Sequence, residues 1–326
     1  MKTKILGILK ENRNEYVSGQ DIGERLGVTR NAIWKAVSSL KEMGYSIESV
    51  TNKGYRLTYC PDILCSEEIS GELKTRWWGN EILYFDSIDS TNNEIKRQAE
   101  KGAREGLLAI AEQQTAGRGR RGKEWSSPSG SGIWMSFLLR PDITPYRASQ
   151  ITIVTALAAA NAIRNVTGLN TLIKWPNDIV IDGKKVTGIL TEMSAEIDSV
   201  SYVVVGIGIN VNTESFPPEI GHIATSLVNH LPENTRVQRS GLVAAFGSEF
   251  ERLYDKFLAC DDLAPLKAEY EARLINIGRE IIIMPGEQRA KALGINNDGE
   301  LLVEDEQGIK AIRSGEVSVR GVYGYV

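Results

Sequence analysis

Three cysteines and two histidines in 326 residues, and no apolar run as long as a membrane span, set the first limits on this chain. An odd cysteine count in so long a chain suits reduced thiols better than a disulfide framework. Cys60 and Cys65 form no Cys-x-x-Cys pair, and His222 and His230 stand far from them and build no His-Glu-x-x-His pattern, so no metal site is expected. The longest apolar stretch, residues 151–162, is broken by Thr152, Thr155 and Asn161 and falls short of the roughly 20 residues a spanning helix needs. The opening MKTKILGILKENRN lacks a small-residue cleavage site and reads as a short helix, not a signal peptide. Together these shortages point to a cytoplasmic protein without a membrane partner.

With 42% apolar and 25% charged residues, the chain has the composition of a globular protein of two or three domains. Its charge is unevenly placed. Residues 1–60 hold ten Lys/Arg against six Asp/Glu, although the whole chain carries a net −4. A basic head on an acidic body suggests a polyanion partner at one end only.

Within that head, Ser18-Gly-Gln-Asp21 resembles a capping box and opens a short helix that Gly27 ends. A second helix starts at Thr29, with Ile33, Ala36, Val37 and Leu40 on one stripe and Gly44 at its exit. Two helices joined by a short glycine turn make a helix-turn-helix. Asn52-Lys53-Gly54 then centres a hairpin, the basic wing of a winged module. Thr29, Arg30, Asn31 and Lys35 on the second helix and Lys53 in the wing are the candidate DNA contacts. A small helical bundle with solvated charges is the alternative. One module buries little DNA, so operator recognition implies a dimer on half-sites about 34 Å or a multiple apart.

TAGRGRRGKEW, residues 115–125, satisfies Gly-x-Gly-x-x-Gly and nearly a Walker loop, yet Glu124 stands where the magnesium-binding hydroxyl belongs. Both nucleotide loops must feed a helix whose amides hold the phosphate. Here KEWSSPSGSG follows, with Pro128 and small residues that leave no helix. The anion-binding groups are therefore Arg118, Arg120 and Arg121, whose guanidinium forks suit phosphate and carboxylate. The flanking glycines and repelling charges imply a loop that is disordered when empty. A solvated basic loop is the plain alternative.

Three further segments look specialised. Asp89-Ser90-Thr91-Asn92-Asn93 packs more hydrogen-bonding side chains at a helix start than one cap uses, although capping alone is also possible. TLIKWPNDIVIDGKKVTGIL reads as a strand, a rigid turn at Trp175-Pro176-Asn177-Asp178, and a hairpin through Asp182-Gly183 that carries Lys184 and Lys185 into another strand. VVVGIGINVN reads as a buried strand with small residues where a flat ligand could lie close to the backbone, followed by Asn210.

STN at 90–92, GRGRRGKEW at 117–125, KWPND at 174–178, GKKVTGIL at 183–190, GIGIN at 206–210 and GEVSVR at 315–320 together resemble the biotin protein ligase family in its bifunctional ligase and repressor form. The resemblance implies an α+β multidomain chain. Its parts are a winged helix-turn-helix over 1–61, a mixed α/β catalytic domain like the class II synthetase and lipoate ligase fold over 66–270, and an SH3-like β-barrel over 271–326. The last agrees with short strands at 8 to 12 residue spacing around the Asn297-Asp298-Gly299 turn.

By resemblance the substrates are ATP and biotin with Mg²⁺, the product is biotinyl-5′-adenylate, and the acceptor is one lysine of a biotin carboxyl carrier domain. Ser90, Thr91, Asn92 and Gln114 are similar to the ureido-binding residues, whose hydroxyl and amide groups suit one carbonyl and two N–H groups. Arg118, Gly119, Arg120 and Lys185 correspond to the carboxylate and phosphate end, with Lys185, Arg118 and Arg120 catalytic. Arg121, Trp125, Asn177, Asn210 and Arg320 fall on the adenylate side. Glu124 departs from the family, which often has a basic residue there. Operator DNA and a homodimer formed on ligand binding complete the expectation. A ligand-sensing repressor without catalysis and a lipoate ligase are the competing readings; Lys185 with the whole arginine loop argues against the first, and the ureido-suited cluster against the second.

Overall fold

The computed structural model describes residues 1–315, 318–322 and 324–326, so Glu316 and Val317 of the GEVSVR motif lie outside the described residues. By contacts the chain forms two compact units, Met1–Leu73 and Lys74–Val326.

The first unit contains α1 (Lys2–Glu11), α2 (Gly19–Leu26), α3 (Arg30–Glu42), the strands β1 (Ser46–Val50) and β2 (Gly54–Tyr59), and α4 (Ser66–Glu72). Ser18 caps α2 by accepting the Asp21 N–H at 3.0 Å, and Gly27 closes it in the left-handed region at φ 65°. Thr29 caps α3 by accepting from Ala32 at 3.3 Å. The apolar stripes of α1, α2 and α3 meet in one core of Ile5, Leu9, Ile22, Ile33, Val37 and Leu40, closed by Leu57 of the β1–β2 hairpin.

Helix α4 belongs to this unit, although the sequence reading begins the central stretch at residue 66. Its Glu68 is 1% exposed and takes hydrogen bonds from the Lys10 ammonium and the Tyr45 hydroxyl. Lys10 also reaches Glu72 at 2.7 Å. A buried carboxylate needs such partners, and they come from α1 and from the entry to β1.

The second unit is built on a seven-stranded sheet in the order β3-β4-β5-β9-β8-β7-β6. Its strands are β3 (Glu81–Ile88), β4 (Leu107–Gln114), β5 (Gly132–Leu139), β6 (Leu172–Lys174), β7 (Asp178–Ile181), β8 (Lys184–Ala195) and β9 (Val200–Asn210). Only β3 and β4 run parallel, joined through α5 (Thr91–Glu100); every other neighbour is antiparallel. After the short α6 (Pro145–Ala148), α7 (Ile151–Thr167) packs against β8 and, past the single turn α8 (Pro218–Gly221), against α9 (Arg239–Leu258). Residues 151–163 of α7 are all buried, so the longest apolar run of the chain is a core helix.

An aromatic cluster of Trp78, Phe137, Phe246 and Phe250 fills the space between β5 and α9, and Gly247 leaves room for the Trp78 ring. Glu251 of α9 accepts the backbone N–H groups of Arg76, Trp77 and Trp78 at 2.7–3.0 Å.

After α10 (Ala264–Glu271), the strands β10 (Glu280–Met284), β11 (Gln288–Ile295), β12 (Leu301–Asp305), β13 (Gly308–Ile312) and β14 (Ser318–Gly321) form an antiparallel sheet in the order β13-β12-β11-β10-β14. No pairing of β13 with β14 closes it among the described residues. The sheet shares one compact unit with the larger one. Trp175, 2% exposed, donates its indole N–H to Gly299 O at 2.9 Å and its backbone N–H to Asn276 at 2.9 Å. No helix among the described residues is long and apolar enough to cross a membrane.

Candidate functional site

A cleft opens over β4, β5, β8 and β9 at the start of α5. Thr91 and Asn92 enter it because they occupy the first turn of α5, and both are buried. Ser90 stands at the N-cap position but makes no capping side-chain bond, so capping does not account for its hydroxyl. Gln114 ends β4 and accepts the Thr91 N–H at 2.9 Å, while its amide nitrogen donates to Ser127 at 2.9 Å. Ser136 of β5, 0% exposed, joins Thr91 at 2.6 Å to Asn92 at 2.5 Å. This side of the cleft is an uncharged arc of hydroxyl and amide groups.

The facing side is cationic. Arg118, Gly119, Arg120 and Lys185 line it, with Trp125 and Asn177. The arginine loop has a defined course where the sequence implies disorder. An isolated bridge pairs Arg118 with Glu124, Gly119 donates to Lys123 O at 2.7 Å, and Trp125 donates to Gly117 O at 2.9 Å. Arg121 adopts φ 57° in the 3-10 turn Arg120–Gly122 at the crown. Those backbone bonds offset the repulsion among the arginines.

Arg120 donates to Asn177 at 2.7 Å, Asn177 to Asp178 at 2.9 Å, and the Lys185 ammonium meets the Asp178 carboxylate at 2.6 Å, 5.1 Å from the Trp125 ring centre. Burial lowers the Arg120 guanidinium from its ordinary value, with Arg121 adding to the effect and Asp178 opposing it.

Three expected site residues do not line the cleft. Arg121 is exposed on the crown, turned by its left-handed backbone. Asn210 is 6% exposed and donates to Thr225 O at 3.1 Å, tying the end of β9 to the loop that leads to α9. Arg320 is exposed on β14 opposite Ile282, close enough for its charge to act on Lys174.

The glycines of GIGIN serve a purpose the sequence does not reveal. A Cβ at Gly206 would collide with the Asn92 side chain, and one at Gly208 with the Trp125 indole. They make room for the cleft's own walls.

Sequence reasoning also misses Ser136, Glu192, Lys174 and Tyr325. Lys174, 5% exposed, has its ammonium 3.5 Å from the Tyr325 ring centre, and Tyr325 donates its hydroxyl to Asp178. Burial, with Lys185, Arg320 and Lys123 nearby, lowers the Lys174 amine to about 8 from 10.5, against the pull of Asp178. The unfolded chain therefore holds a proton that the folded chain lacks between about pH 8 and 10.5. This group's contribution to stability rises with pH across that window. Urea midpoints at pH 7.5 and 9.5 are expected to shift upward in the wild type relative to Lys174→Met; equal shifts in both would refute the assignment.

On the first unit, Arg30, Asn31 and Lys35 are exposed on α3, and Lys53 is exposed at the hairpin tip, 5.7 Å from the Tyr16 ring centre. Thr29 already caps α3, which commits its hydroxyl as an acceptor. Trp34, 60% exposed beside Lys35, is the large apolar group on this face that sequence reasoning passes over; its place four residues after Arg30, off the buried stripe, is the signal.

Known proteins agree with this layout. The model of the Biotin/lipoate A/B protein ligase family matches residues 84–210, that of an HTH domain residues 2–56, and that of the Biotin protein ligase C terminal domain residues 277–320. The chain is 40% identical over 323 residues to the bifunctional ligase/repressor BirA of Bacillus subtilis (strain 168), covering 98% of each. It is 30% identical to the bifunctional ligase/repressor BirA of Escherichia coli (strain K12), covering 97% of this chain and 96% of that one. Among solved structures it resembles the biotin protein ligase from Aquifex aeolicus in complex with biotin and ATP, with a TM-score of 0.65 and 31% identity over 74% of this chain and 99% of that one.

Proposed function

The chain belongs to the biotin protein ligase family, in its bifunctional ligase/repressor branch, and from that membership we propose an ATP-dependent ligase that biotinylates a carrier lysine and doubles as a biotin-responsive repressor. The observation that carries the reading is a single cleft with an uncharged hydrogen-bonding arc at one end and Arg118, Arg120 and Lys185 at the other. Biotin has matching ends, a cyclic urea and a carboxylate.

In the first step a biotin carboxylate oxygen attacks the α-phosphorus of ATP and pyrophosphate leaves. Arg118, Arg120 and Lys185 offset the charge that gathers between carboxylate and triphosphate. Trp125 and Asn177 stand beside them, on the adenylate side. In the second step the carrier lysine, as the free amine, attacks the acyl carbon, AMP leaves with the bonding electrons, and the amine gives up a proton. Mg²⁺, bound with the triphosphate, would offset part of its negative charge.

A three-part division, with α4 in the first part and a boundary near residue 270 between the second and third, an SH3-like character for the last part, a cytoplasmic location and a homodimer formed on ligand binding complete the proposal. Incubation with ATP, Mg²⁺, labelled biotin and a carrier domain is expected to label one carrier lysine, with excess lipoate failing to compete. Label lost to lipoate would favour a lipoate ligase, and tight biotin binding without label a sensor.

For the repressor half, Arg30 and Lys35 are read as phosphate contacts. Arg30→Ala and Lys35→Ala are each expected to weaken operator binding and to reduce the slope of log K against log salt by about 1. An unchanged slope in both would remove α3 from the DNA interface.

A further inference from the structure

Trp34 contributes no packing to the core of the first unit. It is the fifth residue of α3 and is 60% exposed, the most exposed large apolar side chain between Met1 and Leu73. The buried stripe of α3, Ile33, Ala36, Val37 and Leu40, passes it by, and it is not among the partly buried apolar side chains packed against that core. An indole held in water keeps a large apolar surface hydrated, and contact with a partner would relieve that.

The side chains around it indicate which partner. Arg30 and Asn31 stand four and three residues before it, on the same side of the helix, and Lys35 follows it; all three are exposed. Residues 1–60 hold ten Lys/Arg against six Asp/Glu. An apolar protein surface laid over Trp34 would have to desolvate these cations, whereas duplex DNA meets them with phosphates. The major groove admits an α-helix, and residues near the start of that helix reach the base edges. Trp34 stands in the second turn of α3.

Phosphate contacts, the role read for Arg30 and Lys35, fix the position of a protein on the duplex and carry no sequence information. An indole can carry it. Its ring is apolar, and its Nε1–H donates and cannot accept. In the major groove thymine sets an apolar C5-methyl group beside the acceptor O4, while cytosine presents a donor in place of that acceptor.

We propose that Trp34 reads thymine, with its ring against the C5-methyl group and its Nε1–H toward O4 of one thymine in each half-site. The assignment rests on the reading of α3 as the DNA-contacting helix and adds the base that this helix selects. The contact is uncharged and displaces no counterion, so it changes affinity without changing salt dependence, which separates it from Arg30 and Lys35.

The test uses the full chain with biotin and ATP. A duplex enriched from a random pool by binding to the wild type is remade with deoxyuridine in place of each thymine in turn, which removes the methyl group and keeps O4. Wild type is expected to lose about 5-fold in affinity at one thymine of each half-site. Trp34→Ala is expected to bind the unmodified duplex about 10-fold more weakly, to ignore deoxyuridine at that position, and to keep the wild-type slope of log K against log salt. Trp34→Phe, which keeps a ring and loses the N–H, should retain part of the response to deoxyuridine. Undiminished affinity of Trp34→Ala, or the same response to deoxyuridine at every position in wild type and Trp34→Ala, overturns the proposal. So does a weaker dimer of Trp34→Ala in sedimentation with the deoxyuridine response intact, which would seat a second copy of this chain on the indole. Enrichment of no sequence by the wild type would overturn the DNA reading, and this assignment with it.

Discussion

Lys185→Ala is expected to lower the rate of biotinyl-adenylate formation by about 100-fold or more, the size of effect seen when one charge-stabilising donor is removed from a transition state. Lys185, the second residue of β8, has its backbone fixed on both sides, donating to Ile223 O at 2.7 Å and accepting from Thr225 N at 2.8 Å. That anchorage aims the side chain at the cleft, where Asp178 and the Trp125 ring hold it. Removing the amine leaves the backbone bonds in place, and Asp178 keeps the hydrogen bonds from Asn177 and Tyr325, so the melting temperature should fall less than on breaking the buried Glu112–Arg239 pair. Lys185→Arg is not expected to restore the rate, since a planar guanidinium does not fit where a compact ammonium reaches one carboxylate oxygen. Rapid-quench single turnovers with saturating ATP and biotin measure this directly; a loss of less than about threefold would remove Lys185 from the chemistry.

Glu112→Ala is expected to produce the largest loss of stability, about 3–5 kcal/mol. Arg239 of α9 is 1% exposed, and Glu112 of β4 holds it with two hydrogen bonds at 2.9 and 3.1 Å. The same carboxylate accepts the Gly130 N–H at 3.1 Å, and Arg239 donates to Gly132 O at 3.0 Å. Alanine would take from a buried guanidinium the carboxylate that holds it with two hydrogen bonds, and would release the segment between the arginine loop and β5. Urea unfolding should register this as a lower midpoint, and adding Arg239→Met should recover part of it because the stranded charge is then gone. A change below about 1 kcal/mol would mean that water enters and solvates Arg239.

The sequence reads well where local chemistry decides the structure. Ser18, Gly27 and Thr29 mark the ends of two helices in a way any helix of that length requires, and the structure uses all three. Thr91, Gln114, Arg118, Arg120, Trp125, Asn177 and Lys185 stand in polar, glycine-flanked segments between apolar runs, and all of them line one cleft.

Ser136 is illegible because it lies inside an otherwise apolar strand, and only the sheet register gives it meaning. Ser136 pairs with Gly206 on β9, Gly206 pairs with Leu190 on β8, and Asn92 descends onto that row. Glu192 is hidden for the same reason, since its partner Asn92 is 100 residues away. Helix α4 reads as the start of the central stretch because the groups that claim Glu68 are Lys10 and Tyr45, 58 and 23 residues distant. Long-range pairing leaves no local mark, and these residues depend on it.

The measurement that tests the central claim most directly is exchange of labelled pyrophosphate into ATP, in the presence of Mg²⁺, by the wild-type protein with and without biotin. The proposed pairing of a urea-binding arc with a cationic reaction centre predicts exchange that requires biotin, is not supported by lipoate, and is reduced about 100-fold or more by Lys185→Ala. Tight biotin binding with no exchange would contradict it and leave a ligand-sensing repressor without catalysis.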